Sequence, residues 1–571
     1  MVGFSIETMA SDRAAPAAAA PRSSRVADRL GEKTATRRNQ LTVVCVAALT
    51  HGWLVVNNGI YFDDWILYTQ LKRGDWASVR GMADQLGGIP AYLYVWAAAA
   101  AIPPPMIGYK ILSLLLITGT GLLIYSICSE SGLVSRTEAL LISCLAVAYP
   151  SDHTHVLLIT VPYLIYWFVF LVATLLLMRS EAAVGWRKLA LRLIALVCFL
   201  FSFGLNSLLL FYFGVLLLGV LYLRRRNGLT LARLFTEELP RHADLLIAPF
   251  AFWFVYRTYF PPNGIYGYYH QFHLGLGSIV VSIRGFWQSG VVAQFHDSIE
   301  ALALVPLVWL AALFAVQRFW RPGGTDPDPL RPRLAMLGFG VLLGALAVIP
   351  YIAVGLAPSD HGWNSRHTIL LGVAVGIVLV AGARILFRAG GGSIGLLGTA
   401  VLVTLLLGFI VDSAVGYVGW EARWIKDSSV MANLAATPGA DRYSVYWIDD
   451  RYQVGGEPDH RYYEWSSMLG QAFGGQSRIG LDIHTNSPQF LVDGRKFFNA
   501  SRNLAGLDPA GCEAGVSISQ GPDAHSELGL VARYVFYSLF DPAQRDRLVA
   551  KATTVDIQPL AAAQATNCPS T

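Results

Sequence analysis

Two adjacent carboxylates, Asp63 and Asp64, follow directly on the first long apolar segment of the chain, residues 41–59. Like charges repel, and a membrane boundary of low dielectric makes it costly to hold two of them together. A carboxylate beside an acceptor hydroxyl acts as a general base, and a neighbouring acid raises the pKa of one member of such a pair. The pair therefore predicts proton-transfer chemistry or cation binding at a membrane surface.

A structural role is the alternative for the same two residues. Asp is favoured at the N-cap of a helix, and a short surface helix is predicted to begin near Trp65. One acid can cap this helix while the other does chemistry, so both interpretations stay open.

A second polar cluster, Asp152, His153 and His155, follows the third apolar segment. Asp and His are ligands of divalent metals, so the cluster is a weak candidate metal site. Contact with a substrate and a solvated loop are the alternatives. Cysteine spacing typical of a metal site is absent from the sequence. Cys512 and Cys568 lie in the polar C-terminal part and predict a disulfide if that part is extracytoplasmic.

The composition indicates that lipid surrounds most of the chain. Of its 571 residues, 54% are hydrophobic and only 14% are charged, whereas a soluble domain carries roughly 25% charged residues. Nucleotide-binding loops of the Walker or Rossmann type are absent from the sequence. A soluble enzyme and a nucleic-acid partner are therefore not predicted.

The fold class predicted is an α-helical polytopic membrane protein with about eleven spans, because a spanning helix needs roughly 20 apolar residues. Residues 1–40 are predicted to be a disordered basic tail, and residues 41–415 the transmembrane domain. Three of the predicted spans, 137–149, 189–204 and 206–223, are short and are expected to be tilted, extended by flanking residues or re-entrant. The predicted spans are 41–59, 106–127, 137–149, 157–178, 189–204, 206–223, 242–259, 301–318, 333–357, 367–388 and 394–415.

The Lys and Arg residues predict the orientation of these spans. They concentrate in alternate loops, most densely at Arg224, Arg225 and Arg226, whereas the short loops 150–156 and 358–365 contain none. With a cytoplasmic N-terminus, one assignment satisfies nearly every loop. The acid pair then lies in a first outer loop, 60–105, and a second large outer loop covers 260–300.

Short elements are predicted outside the membrane. Within the first outer loop, amphipathic surface helices are expected over 64–73 and 75–86, and a juxtamembrane helix over 89–102. Residues 416–571 are polar, with alternating runs such as 443–448 that are typical of strands. They predict a C-terminal extracytoplasmic α+β domain.

This layout resembles the GT-C glycosyltransferases, multi-spanning enzymes such as protein O-mannosyltransferases and lipid A aminoarabinose transferases. The resemblance rests on an acid pair just after the first span, surface helices behind it, and the apolar segment Gly88–Tyr92 with Pro90 leading into the second span. An outer C-terminal domain is common in the class. The resemblance covers roughly residues 41–415 in layout.

The resemblance implies a reaction and a location. A sugar would pass from a polyprenyl-phosphate donor to an acceptor hydroxyl on the outer face of the plasma membrane, with inversion. The first acid, Asp63, would be the base. Glycan, lipid and protein acceptors stay open, and a divalent metal is the one cofactor left open. Besides the Asp152, His153 and His155 cluster, Tyr268 and His367 are expected to contact substrate.

A lipid-phosphate donor needs cations near the outer face, and Arg suits bidentate contact with phosphate. Arg366 is the first candidate, because it closes the outer loop directly before a span. Lys110 and Arg257 are further candidates. For each of them the alternative is an interfacial anchor that extends its charge to the membrane surface.

Two other functions stay open. A transporter or flippase of a lipid-linked sugar would carry charges near the middle of its spans, whereas here the acids cluster in the predicted outer loops. A non-catalytic envelope assembly protein would have inert spans and use its outer domain to bind a partner.

Overall fold

The computed structural model describes most of the chain. The described residues are 22–87, 92–100, 106–227, 233, 236, 240, 242–267, 271–273, 275–319, 330–360, 362–387, 395–455, 460–475, 478–486 and 512–560. The chain divides into two units, with the boundary after Thr42. The features below belong to the second unit, and only helix α1 crosses the boundary.

The described residues are largely helical. The helices are α1 (Arg22–His51), α2 (Asp64–Lys72), α3 (Trp76–Gly87), α4 (Tyr92–Ala100), α5 (Ile107–Ser131), α6 (Arg136–Ala148), α7 (Val161–Ala182), α8 (Trp186–Ser202), α9 (Ser207–Asn227), α10 (Ala243–Tyr259), α11 (Leu276–Trp287), α12 (Ala293–Ala301), α13 (Pro306–Phe319), α14 (Leu330–Ala353), α15 (Leu371–Leu386), α16 (Leu396–Ala436), α17 (Tyr462–Ala472), α18 (Glu527–Phe540) and α19 (Pro542–Ala550).

Six helical stretches among the described residues are long and apolar enough to cross a membrane. They are Ile107–Ser131, Leu158–Ala182, Ser207–Arg224, Leu276–Leu304, Pro332–Ala353 and Leu396–Ala436. Pro306–Arg318 and Leu371–Leu386 are shorter apolar helices. The chain therefore has the helices of a polytopic membrane protein, and its full span count and orientation stay predictions.

Five of the six stretches coincide with predicted spans, and the sixth does not. Leu276–Leu304 falls mostly in the segment 260–300 that the sequence places in an outer loop. It is one continuous helical run, because a π-helical turn over Gln288–Val292 joins α11 to α12. Its length and composition meet those of a span, so this segment has two competing assignments.

Helix α16 extends well beyond the limit predicted for the last span. It runs for 41 residues, so the predicted domain boundary at 415/416 falls inside one helix. Buried side chains recur at helical spacing past that point: Tyr417, Trp420, Asp427, Val430 and Leu434. The helix continues because this stripe packs against the acid-pair segment and the C-terminal part.

A four-stranded sheet forms the centre of the C-terminal part. The strands are β1 (Val445–Asp450), β2 (Ile479–Asp482), β3 (Glu513–Gln520) and β4 (Thr553–Pro559), in the order β2-β1-β3-β4. The strand predicted over 443–448 is thus present. β1 pairs in parallel with both β2 and β3, and only β4 is antiparallel. Helix α17 connects two parallel strands, which gives an α/β character instead of the α+β arrangement predicted.

The predicted surface helices are present as α2 and α3, and α4 supplies the described part of the juxtamembrane helix. The segment that carries the acid pair belongs to a hydrophobic cluster that joins it to α16 and the sheet, through Tyr61, Trp65, Trp420, Tyr446 and Trp465. The acid pair and the C-terminal part therefore share one core. Cys512 is disulfide-bonded, and its expected partner Cys568 lies outside the described residues.

Candidate functional site

Asp63 is the less buried member of the acid pair. It is the N-cap residue of α2, but its side chain makes no capping hydrogen bond. Its Oδ1 accepts a hydrogen bond from the Tyr463 hydroxyl, and the residue is half-buried. Among the described residues, Oδ2 has no hydrogen-bond partner. This oxygen is therefore placed to accept a proton from a bound hydroxyl.

The surroundings of Asp63 tune its basicity. Burial raises its pKa above the ordinary value, while the Tyr463 hydroxyl and the charges of Arg461 and Arg366 oppose that rise. A carboxylate with a raised pKa is a stronger base when it is ionised. The group thus has the properties that a general base needs.

Asp64 is held in a different way. Its Oδ2 accepts the backbone N–H of Leu158 at 2.8 Å, and its Oδ1 accepts that of Ile159 at 2.9 Å. The residue is fully buried, and burial raises its pKa to about 7 although both amides oppose the rise. Asp64 therefore connects the acid-pair segment to the turn before α7, and both of its oxygens are used in this connection.

We expect Asp64→Asn to destabilise the protein. The carboxamide of Asn has one acceptor oxygen, so its NH₂ group would face the backbone N–H of Leu158 or Ile159. An unmade buried hydrogen bond costs about 1–3 kcal/mol, which lowers the Tm in a thermal unfolding experiment on the purified protein. Asp63→Asn serves as the matched comparison, and its Tm should stay near that of the wild type. Equal Tm values for all three proteins would contradict this role of Asp64.

The backbone before the acid pair is strained. Phe62 has a φ of 48°, which is unusual for a residue other than glycine. Its N–H donates to Glu464 Oε1 at 3.0 Å, and the same oxygen accepts from Arg423 at 2.9 Å. Strain of this kind costs about 1–3 kcal/mol and persists only where neighbours enforce it. Glu464 of α17 and Arg423 of α16 therefore fix the direction of the chain at Asp63.

Lys110 contacts the backbone just before the acid pair. Its Nζ donates to the Asn57 carbonyl oxygen at 2.6 Å, to Asn57 Oδ1 at 2.5 Å and to the Gly59 carbonyl oxygen at 3.1 Å. An ammonium group has three donors, and this side chain is fully buried. The predicted contact of Lys110 with a donor phosphate does not fit this position, because all three donors already support residues 57–59.

Arg366 is one of two cations that act on Asp63, and the other is Arg461. Its guanidinium lies 3.9 Å from the centre of the Trp363 ring and donates to the Trp363 carbonyl oxygen. The Trp363 ring is 5.9 Å from the Phe62 ring, and the charge of Arg366 lowers the pKa of Asp63. The bond to the Trp363 carbonyl oxygen is the only hydrogen bond that the guanidinium makes among the described residues, so four of its five N–H donors make none there.

The other predicted phosphate and sugar contacts are not brought to this place. Arg257 is exposed near the end of α10, and no described contact links it to the acid pair. Tyr268 lies outside the described residues. His367 is buried against the Tyr351 ring at 4.8 Å, with Nδ1 3.4 Å from the Ala357 carbonyl oxygen. Its ring therefore packs inside the protein instead of facing a substrate.

The cluster at 152–155 stabilises its own turn. Asp152 Oδ1 accepts from the backbone N–H of Thr154 at 2.9 Å and from its hydroxyl at 2.7 Å. His155 Nδ1 lies 2.8 Å from the Asp152 carbonyl oxygen, and its ring stacks on His51 at 5.3 Å. The backbone of His153 donates to Ser365 Oγ at 3.0 Å, which ties this turn to the Arg366 loop.

These residues do not converge as metal ligands. Within the described part of the chain, one group alone brings three possible ligand atoms to within 4.8 Å of one another, and it is His296, Asp297 and Glu300. The metal site predicted at Asp152, His153 and His155 is therefore not supported. The physical reason is that Asp152 Oδ1 and His155 Nδ1 already make contacts within their own turn.

An apolar cavity of about 280 Å³ lies among α5, α6, α7, α9, α14 and α15. It shares Ile124, Trp167 and Val373 with a smaller cavity of about 50 Å³, which Asp152 and His155 help to line. The two cavities thus adjoin, with an apolar body and a polar end. Such a shape suits a ligand that has a long hydrocarbon chain.

Comparison with protein-family models, with curated proteins and with solved structures finds no match for this chain. The family resemblance of the layout therefore stays an expectation from the sequence. The geometry around Asp63 and Arg366 carries the functional argument.

Proposed function

We propose that this protein is a membrane-embedded glycosyltransferase of the GT-C type. It moves a sugar from a polyprenyl-phosphate donor to an acceptor hydroxyl, with inversion at the anomeric carbon. The proposal places the N-terminus in the cytoplasm, and the acid pair, Arg366 and the C-terminal part on the outer face of the plasma membrane. About eleven spans and a first outer loop over residues 60–105 belong to the same proposal.

The surroundings of Asp63 are the observation that carries the proposal. Asp63 has a raised pKa, an oxygen without a hydrogen-bond partner among the described residues, and Arg366 within electrostatic reach. A base and a cation within electrostatic reach of each other are what a transfer from a phosphate donor to a hydroxyl requires. The apolar cavity among the helices adds room for the hydrocarbon chain of such a donor.

The residues divide the reaction between them. Asp63 Oδ2 takes the proton of the acceptor hydroxyl as its oxygen attacks the anomeric carbon. The bond between that carbon and the phosphate oxygen breaks on the opposite side, and the phosphate leaves with the electron pair. Arg366 holds the phosphate and offsets its added negative charge. Attack and departure on opposite sides of the carbon invert the configuration.

A cellular experiment tests the proposed function. The chromosomal chain is replaced by Asp63→Asn, and the pool of polyprenyl-phosphate sugars and the envelope glycans are measured by mass spectrometry. We expect one lipid-linked sugar to accumulate and one glycan to lose that sugar. Unchanged pools and glycans would contradict the proposal. Replacement by Asp84→Asn is the control, because Asp84 is an exposed carboxylate of α3 in the same outer segment.

We expect Tyr463→Phe to move the acid limb of the pH profile of kcat/KM to higher pH. The Tyr463 hydroxyl stabilises the charged form of Asp63 and so lowers its pKa. Without this hydrogen bond the pKa rises further, and the base becomes protonated at a higher pH. Tyr92→Phe is the matched control, since it removes a hydrogen bond from a Tyr hydroxyl to Asp84, 3.1 Å long, elsewhere in the same segment. An unmoved acid limb in Tyr463→Phe would contradict the role of Tyr463.

A further inference from the structure

A cavity of about 410 Å³ lies between α2 and α17. This volume is within the range of roughly 300–1,000 Å³ that is typical of ligand pockets. One wall comes from the helix that begins at the acid pair, and the other comes from the C-terminal part. One of the residues that line it is Tyr463, whose hydroxyl donates a hydrogen bond to Asp63.

The two helices run side by side in the same direction. At one end, Tyr463 near the start of α17 contacts Asp63 at the start of α2. At the other end, Arg73 after α2 donates to the carbonyl oxygen of Gly475 after α17, at 3.4 Å. Ile66, Thr69 and Arg73 follow Asp63 at spacings of three and four residues and line the cavity. The cavity therefore runs along this face of α2 from Tyr463, the lining residue that contacts Asp63, towards Arg73.

The charge of the lining is one-sided. Lys72, Arg73 and Arg478 are among the lining residues, and no Asp or Glu is found among those that the structure describes. The cations lie towards the end that is remote from Asp63. Lys and Arg at such a position bind carboxylate or phosphate groups through charge-assisted hydrogen bonds.

The remaining lining suits a carbohydrate. Tyr68, Tyr462 and Tyr463 contribute partly exposed rings and hydroxyls, and such side chains pack on an apolar face while hydrogen-bonding at their tip. Ser467 and Gln471 add polar groups along the α17 wall. A sugar ring presents both an apolar face and a rim of hydroxyls, so it matches this combination.

We propose that this cavity binds the acceptor, and that the acceptor is an anionic oligosaccharide. The proposal rests on the proposed function, because it takes Asp63 as the group that receives the proton of the acceptor hydroxyl. The reacting hydroxyl lies at the Asp63 end, and a carboxylate or phosphate of the same saccharide lies at the end formed by Lys72 and Arg73. From Asp63 to Lys72 the helix rises by about 14 Å. This separation exceeds the width of one pyranose ring, and it favours an acceptor of more than one sugar.

Direct binding measurements test the proposal. The full-length protein is reconstituted in nanodiscs and titrated with two matched pairs of probes by calorimetry: digalacturonic acid with digalactose, and trehalose 6-phosphate with trehalose. We expect at least one anionic probe to bind about tenfold or more tightly than its neutral partner. The pair that shows the difference identifies carboxylate or phosphate as the anion. Equal affinity within both pairs would overturn the proposal.

Variants of the cavity provide the second arm. Lys72→Gln/Arg73→Gln changes two exposed side chains and should weaken binding of the preferred anionic probe about tenfold or more, without affecting the neutral probe. Arg80→Gln, an exposed cation on α3 outside the cavity lining, should leave both affinities within about twofold. Unchanged binding in the double variant would overturn the proposal. Inorganic phosphate is a further control, and if it bound as tightly as trehalose 6-phosphate, the saccharide assignment would fail.

The two proposals fail in different ways. Binding is measured without any donor, so a loss of the charge preference speaks against the cavity alone, even if transfer that depends on Asp63 is observed. Conversely, a protein that binds anionic saccharides but transfers no sugar would disprove the proposed function and leave the cavity assignment intact.

Discussion

Asp63→Asn is expected to lower the rate of sugar transfer by about 10²–10⁴-fold. The carboxamide keeps the size of the side chain and can still accept a hydrogen bond from Tyr463, but it cannot take a proton from the acceptor. Donor binding and Tm should stay near the wild-type values, because the other oxygen of Asp63 has no hydrogen-bond partner among the described residues. The rate is measured with the purified protein at saturating donor.

Two comparisons make this prediction specific. Asp84→Asn removes a carboxylate from the same segment, residues 60–105, and should transfer sugar at about the wild-type rate, since Asp84 contacts Tyr92 and not the acid pair. Asp63→Glu keeps the base but moves it by one methylene group, so it should retain more activity than Asp63→Asn. Wild-type turnover in Asp63→Asn would show that Asp63 is not the base.

Arg366→Ala is expected to reduce kcat by about 10²–10³-fold and to weaken donor binding. This range is the effect of removing one preorganised group that stabilises developing negative charge. Arg366→Lys should fall between Arg366→Ala and the wild type, since Lys keeps the charge but loses the planar fork that binds two phosphate oxygens. Donor affinity is measured with a non-transferable phosphonate analogue.

Arg257→Ala is the matched control for Arg366→Ala. Arg257 is a further cation that the sequence assigns to the donor phosphate, yet it is exposed near the end of α10. Its removal should change donor affinity by less than about threefold. A larger loss in Arg257→Ala than in Arg366→Ala would contradict the placement of the donor. A Tm measurement on each variant separates loss of binding from loss of folding.

Local sequence patterns predicted much of what surrounds the site. The surface helices over 64–73 and 75–86 are present as α2 and α3, because short amphipathic periodicity is a local property. The two loops without Lys or Arg were expected on one face, and they are joined by the hydrogen bond from the His153 backbone N–H to Ser365 Oγ, 3.0 Å long.

The direction of individual side chains could not be predicted in the same way. Lys110 stands near the start of an apolar helix, where anchoring, phosphate binding and burial give the same sequence signal. Its partners, the backbone oxygens of Asn57 and Gly59, come together with it only once the chain has folded. The difference between Asp63 and Asp64 is of the same kind, since adjacent residues in a helix point in different directions.

Residues distant in sequence complete the site, and these were missed. Tyr463 and Glu464 lie about 400 positions after the acid pair and contact it only through the tertiary fold. The sequence did contain a signal that the helix continues past Arg423. Large side chains recur at helical spacing from Tyr417 to Leu434, beyond the last apolar stretch. The change to a polar composition near residue 416 suggested a domain boundary, but α16 continues through this position without a break.

Release of polyprenyl phosphate by the purified, reconstituted protein tests most directly whether Asp63 and Arg366 form a transfer site. The protein is incubated with a panel of polyprenyl-phosphate sugars, with and without a mixture of envelope glycans as acceptor, and the released lipid phosphate is quantified. We expect one donor to be consumed only when acceptor is present, and this release to be lost in Asp63→Asn but retained in Asp84→Asn. Equal release by Asp63→Asn and the wild type, or no release from any donor, would contradict a glycosyltransferase that uses Asp63 as its base.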